Sequence, residues 1–178
     1  MDEERKVTLT ELLDSREKRA AHQKELLAVY GQDGGILVSV TLNIPGPVKD
    51  RPVYRRVMEQ SMESLSEAVA SAGEEILFCQ VRHLPTGPEG YLVTGGPLTG
   101  QRLKRLTVKL EDSSPLGRLF DMDVIDENGG ISRGDLGFSP RRCLLCEKDA
   151  KVCARSQSHK REQLLAEIHR VIEEAGIH

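Results

Sequence analysis

The stretch from Gly117 to Gly130, GRLFDMDVIDENGG, predicts a strand that ends in a tight hairpin turn. Because alternate residues of a strand face the same side, Phe120 and Val124 lie on an apolar face that packs on the core. Asp121 and Asp123 then stand together on the opposite face, with Cα atoms about 6.5–7 Å apart. The Asn-Gly pair that follows is a strong hairpin signal, so the chain turns back directly after the strand.

The paired carboxylates of Asp121 and Asp123 need a compensating partner. Two ionised carboxylates on one face repel each other, and each is costly to desolvate. Their spacing lets both reach one divalent cation. Oxygen ligands suit Mg²⁺, which commonly sits between carboxylates and substrate phosphates. The alternative is a solvated edge strand on which the aspartates preserve solubility. Leu119 and Ile125 flank the pair on its own face and indicate a partly covered floor.

The hydrophobic pattern of the whole chain alternates between helical and strand periods. Thr8 and Glu11 have capping-box spacing ahead of the first helix, and Gly73 and Gly176 are candidate helix ends. The pattern predicts helices at residues 9–29, 53–72, 98–106 and 159–176, and strands at 36–44, 74–84, 91–95 and 116–125. These elements predict an α/β (α+β) fold, with a mixed sheet flanked by helices and a C-terminal helix, in one domain over residues 1–178.

Composition limits the classes of function. A net charge of -3 argues against a general nucleic-acid binder. No apolar run is long enough to cross a bilayer, and the charged start MDEERKVTLTELL lacks the apolar core of a signal peptide. We therefore expect a cytoplasmic protein without nucleic-acid or membrane partners. Its four cysteines are then thiols or metal ligands rather than a disulfide framework.

The segment from residue 143 to 159 combines three cysteines with a histidine. Cys143, Cys146, Cys153 and His159 have the ligand types of a structural Zn²⁺ site, with the spacing C-x2-C-x6-C-x5-H. A closed site of this kind would fix the C-terminal tail to the core. The alternatives are that the cysteines are small buried side chains, and that His159 begins the last helix or acts as a general base.

Several longer motifs closely resemble one family. The segments SSPLGRLFDMDV, RGDLGFSPRRCLLC and CARSQSH, with TLNIPGPVK and LLDSREKRAAHQKELL earlier in the chain, are similar to CitX proteins, the holo-acyl-carrier-protein synthases of citrate lyase. The family pattern Gly-Arg-Leu followed by Asp-x-Asp-Val reads here GRL at 117–119 and DMDV at 121–124. The resemblance covers nearly the whole chain and is far more specific than Asp-x-Asp alone.

The resemblance implies an enzyme with a nucleotidyltransferase-like fold. CitX proteins transfer 2′-(5″-phosphoribosyl)-3′-dephospho-coenzyme A from its triphosphoribosyl precursor to a serine of the apo acyl carrier (γ) subunit of citrate lyase, and pyrophosphate is released. By the same resemblance, Asp121 and Asp123 are expected to be catalytic and to bind Mg²⁺. A third carboxylate is common in the nucleotidyltransferase superfamily, and the candidates here are Glu111, Asp126 and Asp135.

A donor of this kind carries a triphosphate, so its site needs fixed cations. Arginine suits this task because its planar guanidinium forms two parallel hydrogen bonds to phosphate. The candidates are Lys49 and Arg51 in the turn NIPGPVKDR, Arg118 beside the aspartates, and Arg133, Arg141 and Arg142 after the strand. Alternatives remain open: a plain surface turn for the first two, a buried acid as the partner of Arg118, and an acidic carrier docking on SPRR. The basic run QRLKRLTVK is interpreted as a solvated helix face.

Two other functions fit parts of the pattern. One is a noncatalytic zinc-containing binding module that uses the Cys/His tail for recognition. The other is a nucleotidyltransferase that uses an ordinary nucleoside triphosphate. Tightly bound zinc without Mg²⁺-dependent release of pyrophosphate would favour the first, and competition by ATP or CTP would favour the second.

Overall fold

A computed structural model describes residues 4–178 of the chain, and five helices and five strands lie within this range. The helices are α1 (Leu9–Tyr30), α2 (Pro52–Ser71), α3 (Gly100–Asp112), α4 (Ala150–Ser156) and α5 (Arg161–Glu174). The strands are β1 (Ile36–Leu42), β2 (Glu75–Arg82), β3 (Glu89–Gly95), β4 (Phe120–Asp126) and β5 (Gly129–Ile131). No helix in the described range combines the length and apolar character needed to span a bilayer.

The strands form one sheet in the order β2-β3-β1-β4-β5. The predicted α+β class, the flanking helices and the C-terminal helix are confirmed. Strand directions are antiparallel throughout the sheet rather than mixed. β3 and β4 are joined through α3 and run parallel to each other. However, β1 lies between them and is antiparallel to both. The two strands linked by this helix therefore never pair directly.

Each face of the sheet packs against its own helices. On one face, α2, α3 and α5 enclose the larger core, to which the buried side chains of Val40, Met58, Leu103, Met122 and Ile168 belong. On the other face, Leu26 of α1 packs against the inward side chains of Leu37, Tyr91 and Val93. The first helix thus covers the same side of the sheet on which the aspartates were predicted.

Element boundaries agree with the sequence where local signals are strong. Thr8 and Glu11 form the predicted capping box at the start of α1. The predicted strand at 116–125 is shorter, because residues 116–119 form a 3-10 turn and β4 begins at Phe120. A side chain at Gly117 would collide with the backbone carbonyl oxygens of Leu110 and Glu111, so only glycine permits this close approach of the turn to α3. Helix α4 was not predicted.

Two buried side chains of α3 complete the edge of β4 between the aspartates. β5 pairs with β4 only from Val124 onward, which leaves the backbone of Met122 without a strand partner on that side. Lys104 Nζ donates to Met122 O at 2.7 Å, and Glu111 Oε1 accepts from Met122 N–H at 2.8 Å. The interpretation of QRLKRLTVK as a solvated face is therefore wrong for Lys104, which is buried, although Lys109 of the same run is exposed.

We expect Lys104→Met to destabilise the fold. Methionine keeps the apolar stem but leaves a buried carbonyl oxygen unpaired, which costs about 1–3 kcal/mol. Denaturant unfolding of the variant measures this cost as a lower midpoint. The matched control is Lys109→Met, an exposed position of the same helix, where we expect a change within about 0.5 kcal/mol. Equal midpoints for the two variants would contradict the role given to Lys104.

Candidate active site

β4 presents Asp121 and Asp123 on the face that α1 covers. Phe120, Met122 and Val124 are buried on the opposite face, so the predicted alternation is confirmed. Across the sheet, Asp121 lies opposite Thr41 and Asp123 lies opposite Ser39 of β1. Gln23 of α1 donates to Ser39 Oγ at 2.9 Å, which fixes the helix above this part of the sheet. The pair therefore lies on a floor with α1 as one wall.

A cavity of about 240 Å³ lies between this floor and α1. Its lining includes Asp121 and Thr41 from the sheet, Arg16 and Arg19 from α1, and Lys49 from the turn after β1. Lys49 Nζ donates to the carbonyl oxygen of Ile44, which orders that turn. The pKa of Lys49 lies below its ordinary value, first because of burial and second because Arg16 is close. The cavity thus brings three cations to one of the two aspartates.

The carboxylates carry charge that the surrounding residues do not fully neutralise. The pKa of Asp123 is raised, first because the surrounding protein removes part of its hydration and second because Asp121 carries like charge. Asp121 Oδ1 lies 3.3 Å from Arg141 Nη2, and half of the Asp121 side chain remains exposed. In the described part of the chain Asp123 is exposed and has no ion-pair partner, so its carboxylate is open to a cation.

Glu111 anchors two of the predicted arginines beside this pair. Its Oε1 accepts from Arg141 as well as from the β4 backbone, and its Oε2 accepts from Arg133 at 2.8 Å. Asp112 adds a second partner for Arg133 at 2.8 Å. Because both of its oxygens are engaged, the buried Glu111 holds arginines in place and is not free to serve as a third metal ligand.

The buried acid on the same face as the aspartates is Glu89, which the sequence analysis did not single out. Glu89 lies opposite Thr41 on β3, so one residue of β1 separates it from Asp121. Its oxygens accept from Arg19 Nε at 2.8 Å and from Tyr91 Oη at 2.5 Å. Burial, followed by the bond to Glu89, raises the pKa of Tyr91. The sequence feature that could have indicated this residue is a glutamate at the start of the apolar strand β3.

The other two candidates for the third carboxylate stabilise turns instead. Asp126 accepts from the backbone N–H of Asn128 at 2.8 Å in the hairpin turn. Asp135 accepts from the backbone N–H of Ser132 at 2.9 Å, and this bond lowers the pKa of Asp135. Both bonds are local, so neither carboxylate is directed toward the Asp121–Asp123 pair by the contacts it makes.

A second, larger cavity of about 620 Å³ lies behind the turn that follows β1. Four of the predicted phosphate-binding residues line it, namely Arg118, Arg133, Arg141 and Arg142. Asn43 lines both cavities, so the larger one adjoins the smaller one at the end of β1. The structure thus brings these four arginines together around one cavity beside the aspartates.

Arg118 and Arg51 lie differently from the sequence-based expectation. Arg118 belongs to the 3-10 turn before β4, and its guanidinium donates to the carbonyl oxygens of Arg142 and Cys143 rather than to a buried acid. Arg51 lines neither cavity. It donates to Glu4 Oε2 at 2.7 Å and lies 3.2 Å from His169 Nε2, so it joins the N-terminal segment to α5.

The Cys/His segment forms a compact cluster in the wall of the larger cavity. The ligand atoms of Cys143, Cys146, Cys153 and His159 all lie within 4.8 Å of one another. Tetrahedral zinc with bonds of about 2.3 Å to sulfur separates its ligands by about 3.8 Å, so these donors have the type and spacing of a zinc site. His159 Nε2 lies 3.3 Å from Cys146 Sγ, which places this histidine in the cluster and away from the aspartates.

The local fold explains how the four residues meet. The bridge between Arg142 and Asp149 closes a loop around Cys146, and Cys143 N–H donates to Lys148 O at 2.8 Å. Asp149 caps α4, which carries Cys153. The backbone bond from Lys148 and the bond to His159 lower the pKa of Cys146 to about 7, while burial raises the pKa of Cys153 to about 11. The fourth cysteine, Cys79, is exposed on β2, outside the cluster.

Comparison with known proteins agrees with the motifs. The family model described as CitX, apo-citrate lyase phosphoribosyl-dephospho-CoA transferase, matches residues 7–175. A Vibrio cholerae protein named probable apo-citrate lyase phosphoribosyl-dephospho-CoA transferase is 42% identical over 163 residues, covering 91% of this chain and 89% of the relative. An Escherichia coli protein of that name without the qualifier is 42% identical over 160 residues, covering 89% and 85%. A Streptococcus pyogenes relative is 39% identical over 171 residues, covering 93% and 85%. The chain therefore belongs to the CitX family.

Proposed function

We propose that this chain transfers 2′-(5″-phosphoribosyl)-3′-dephospho-coenzyme A from its triphosphoribosyl precursor to a serine of the apo acyl carrier (γ) subunit of citrate lyase. Membership of the CitX family carries this proposal, because the match extends over residues 7–175. The placement of Asp121 in the wall of a cation-lined cavity, with Asp123 beside it on the same strand face, supports it chemically, since the reaction forms a bond to a phosphorus atom of a polyanionic donor.

Asp121 and Asp123 are the residues that would hold Mg²⁺. Their fit rests on two features, the shared strand face and the charge on Asp123 that no described residue pairs. Carboxylate oxygens beside substrate phosphates are the usual environment of this ion. When bound, Mg²⁺ supplies neutralisation of the negative charge that develops on the phosphoryl and pyrophosphate oxygens.

The side chains around the aspartates bind and orient the reactants. Lys49, Arg16 and Arg19 line the smaller cavity, where they can hold the triphosphate. Arg141 is held by Glu111 and lies 3.3 Å from Asp121, so it supplies fixed positive charge beside that carboxylate. The serine oxygen bonds to the phosphorus, the bond to pyrophosphate breaks, and the hydroxyl proton passes to water. Positioning and fixed positive charge account for much of the catalysis in such transfers.

We also propose that Cys143, Cys146, Cys153 and His159 hold a structural Zn²⁺. The donor set and the mutual distances within 4.8 Å support this assignment. Three of the four residues line the larger cavity, so a closed site would fix the wall of that cavity to the remainder of the fold. With four protein ligands, the proposed zinc would have a structural rather than a catalytic role.

We expect Asp121→Asn and Asp123→Asn to lower transfer more than about 100-fold, because each removes a carboxylate that binds the metal directly. The assay incubates the protein with apo carrier, donor and Mg²⁺ and measures the mass added to the carrier serine. Asp14→Asn is the control, since it makes the same change at an exposed position of α1. Full transfer by either active-site variant would contradict the metal assignment.

We expect Mg²⁺ to raise the Tm of the wild-type protein but not that of Asp123→Asn. An ion that binds the folded state at a hundredfold excess over its Kd stabilises by about 2.7 kcal/mol, or roughly 5–10 °C for a chain of this size. Without divalent ions, Asp123→Asn should melt at or above the wild type at pH 7, because the mutual repulsion is gone. An equal Mg²⁺ response in both proteins would place the ion elsewhere.

We expect the purified protein to contain about one zinc per chain. Cys146→Ser should lose this zinc and lower the Tm, because the tail is then no longer tied to the loop. Cys79→Ser, which alters an exposed cysteine outside the cluster, should change neither quantity. Elemental analysis and thermal unfolding measure the two effects. Zinc retained in full by Cys146→Ser would refute the proposed ligand set.

A further inference from the structure

The two cavities differ in the size of ligand that each can hold. Pockets for nucleotide-sized ligands commonly have volumes of about 300–1,000 Å³. The larger cavity, at about 620 Å³, falls in this range, whereas the smaller one, at about 240 Å³, has room for phosphate groups but not for a whole nucleotide. Asn43 lines both cavities, and Arg141 in the wall of the larger one lies 3.3 Å from Asp121 in the wall of the smaller one, so the two cavities are neighbours.

The N-terminus of α5 carries cations at the wall of the larger cavity. Lys160 is the N-cap of this 14-residue helix and Arg161 is its first residue, and both line the cavity. Positive charge at a helix N-terminus opposes the helix dipole, which favours anions there. Neither side chain forms an ion pair with any residue from 4 to 178. This end of α5 therefore combines two unpaired cations and a dipole that all attract an anion.

The exposed side chain of Arg161 lies against the turn after β1. Gly46 has a φ of +90°, and a Cβ at this residue would lie 3.1 Å from Arg161 Cδ. The glycine thus permits the guanidinium stem to pack closely against the turn. Arg161 therefore lies at the junction between α5 and the turn that leads from β1.

One further donor group in the cavity lacks an acceptor. Arg133 Nε is buried without a hydrogen-bond partner, while the nearby acids Glu111 and Asp112 are already engaged by arginines. Arg118 donates to two backbone carbonyl oxygens. The wall also has an apolar part, to which Pro45, Leu144, Ala150 and Leu164 contribute. This surface combines excess positive charge with an apolar strip.

We infer that the larger cavity binds the dephospho-coenzyme A part of the donor, an inference that rests on the proposed function. The diphosphate lies at the N-terminus of α5 against Lys160 and Arg161. The pantetheine arm follows the apolar strip. The reacting phosphates extend past Asn43 to Asp121. Recognition of the donor is thereby separated from the chemistry, because one cavity holds the nucleotide part and the other holds the phosphates that react.

The test uses dephospho-coenzyme A itself, which lacks the reacting triphosphoribosyl group, and measures its Kd by calorimetry. We expect the double variant Lys160→Gln/Arg161→Gln to raise this Kd at least 10-fold. Lys151→Gln, an exposed lysine of α4 that does not line the cavity, is the matched control. The double variant Lys160→Gln/Arg161→Gln should melt no lower than the wild type, because it removes positive charges that oppose the dipole of α5.

The outcomes separate this inference from the proposed function. Wild-type protein that does not bind dephospho-coenzyme A at millimolar concentration, or a double variant that binds it normally, overturns the inference. In the transfer assay, a double variant with a raised KM for the donor and a nearly unchanged kcat supports it, and an unchanged KM opposes it. A third outcome is that binding depends on Lys160 and Arg161 but the wild-type protein never modifies the carrier. That outcome supports the assignment of the cavity and refutes the proposed transfer.

Discussion

The bonds from α3 to the backbone of Met122 are the constraint on which the rest of the site depends. Lys104 and Glu111 occupy the place of a neighbouring strand at the residue between the two aspartates. Without them, this part of β4 would expose an unpaired edge. Burying a lysine and a glutamate is costly unless both are fully paired. Here their partners are the strand backbone and two arginines, so the cost is offset by bonds that set the direction of the carboxylates.

Acidic and basic side chains alternate around β4. The buried Glu111 holds Arg133 and Arg141, and Arg141 reaches on to Asp121. On the other side of β1, Glu89 holds Arg19, which lines the smaller cavity. In both cases a buried acid holds in place an arginine that lines a cavity. This arrangement gives a polyanionic substrate fixed partners, which lose little freedom when it binds.

The sequence predicted features that depend on short-range patterns. Alternation around Asp121 and Asp123 was sufficient to place both carboxylates on one face, and the spacing of the cysteines was sufficient to suggest the cluster. Features that depend on distant contacts were missed. Lys104 lies in a basic run typical of a solvated helix, and only the open edge of β4 explains its burial. Likewise, the register of β3 against β1, which no local pattern encodes, brings Glu89 to the same face as the aspartates.

Arg141 contacts both the buried Glu111 and the half-exposed Asp121, which is one of the two proposed metal ligands. It lies between a buried acid and a half-exposed one, and its short contact is with Glu111, whereas Asp121 lies at 3.3 Å. Because the buried partner is desolvated, its attraction for the guanidinium is screened less by water. Arg141 would therefore stay with Glu111 if Asp121 bound the proposed cation. An arginine that depended on Asp121 alone would compete with that ion, whereas an arginine held by Glu111 leaves the carboxylate available to it.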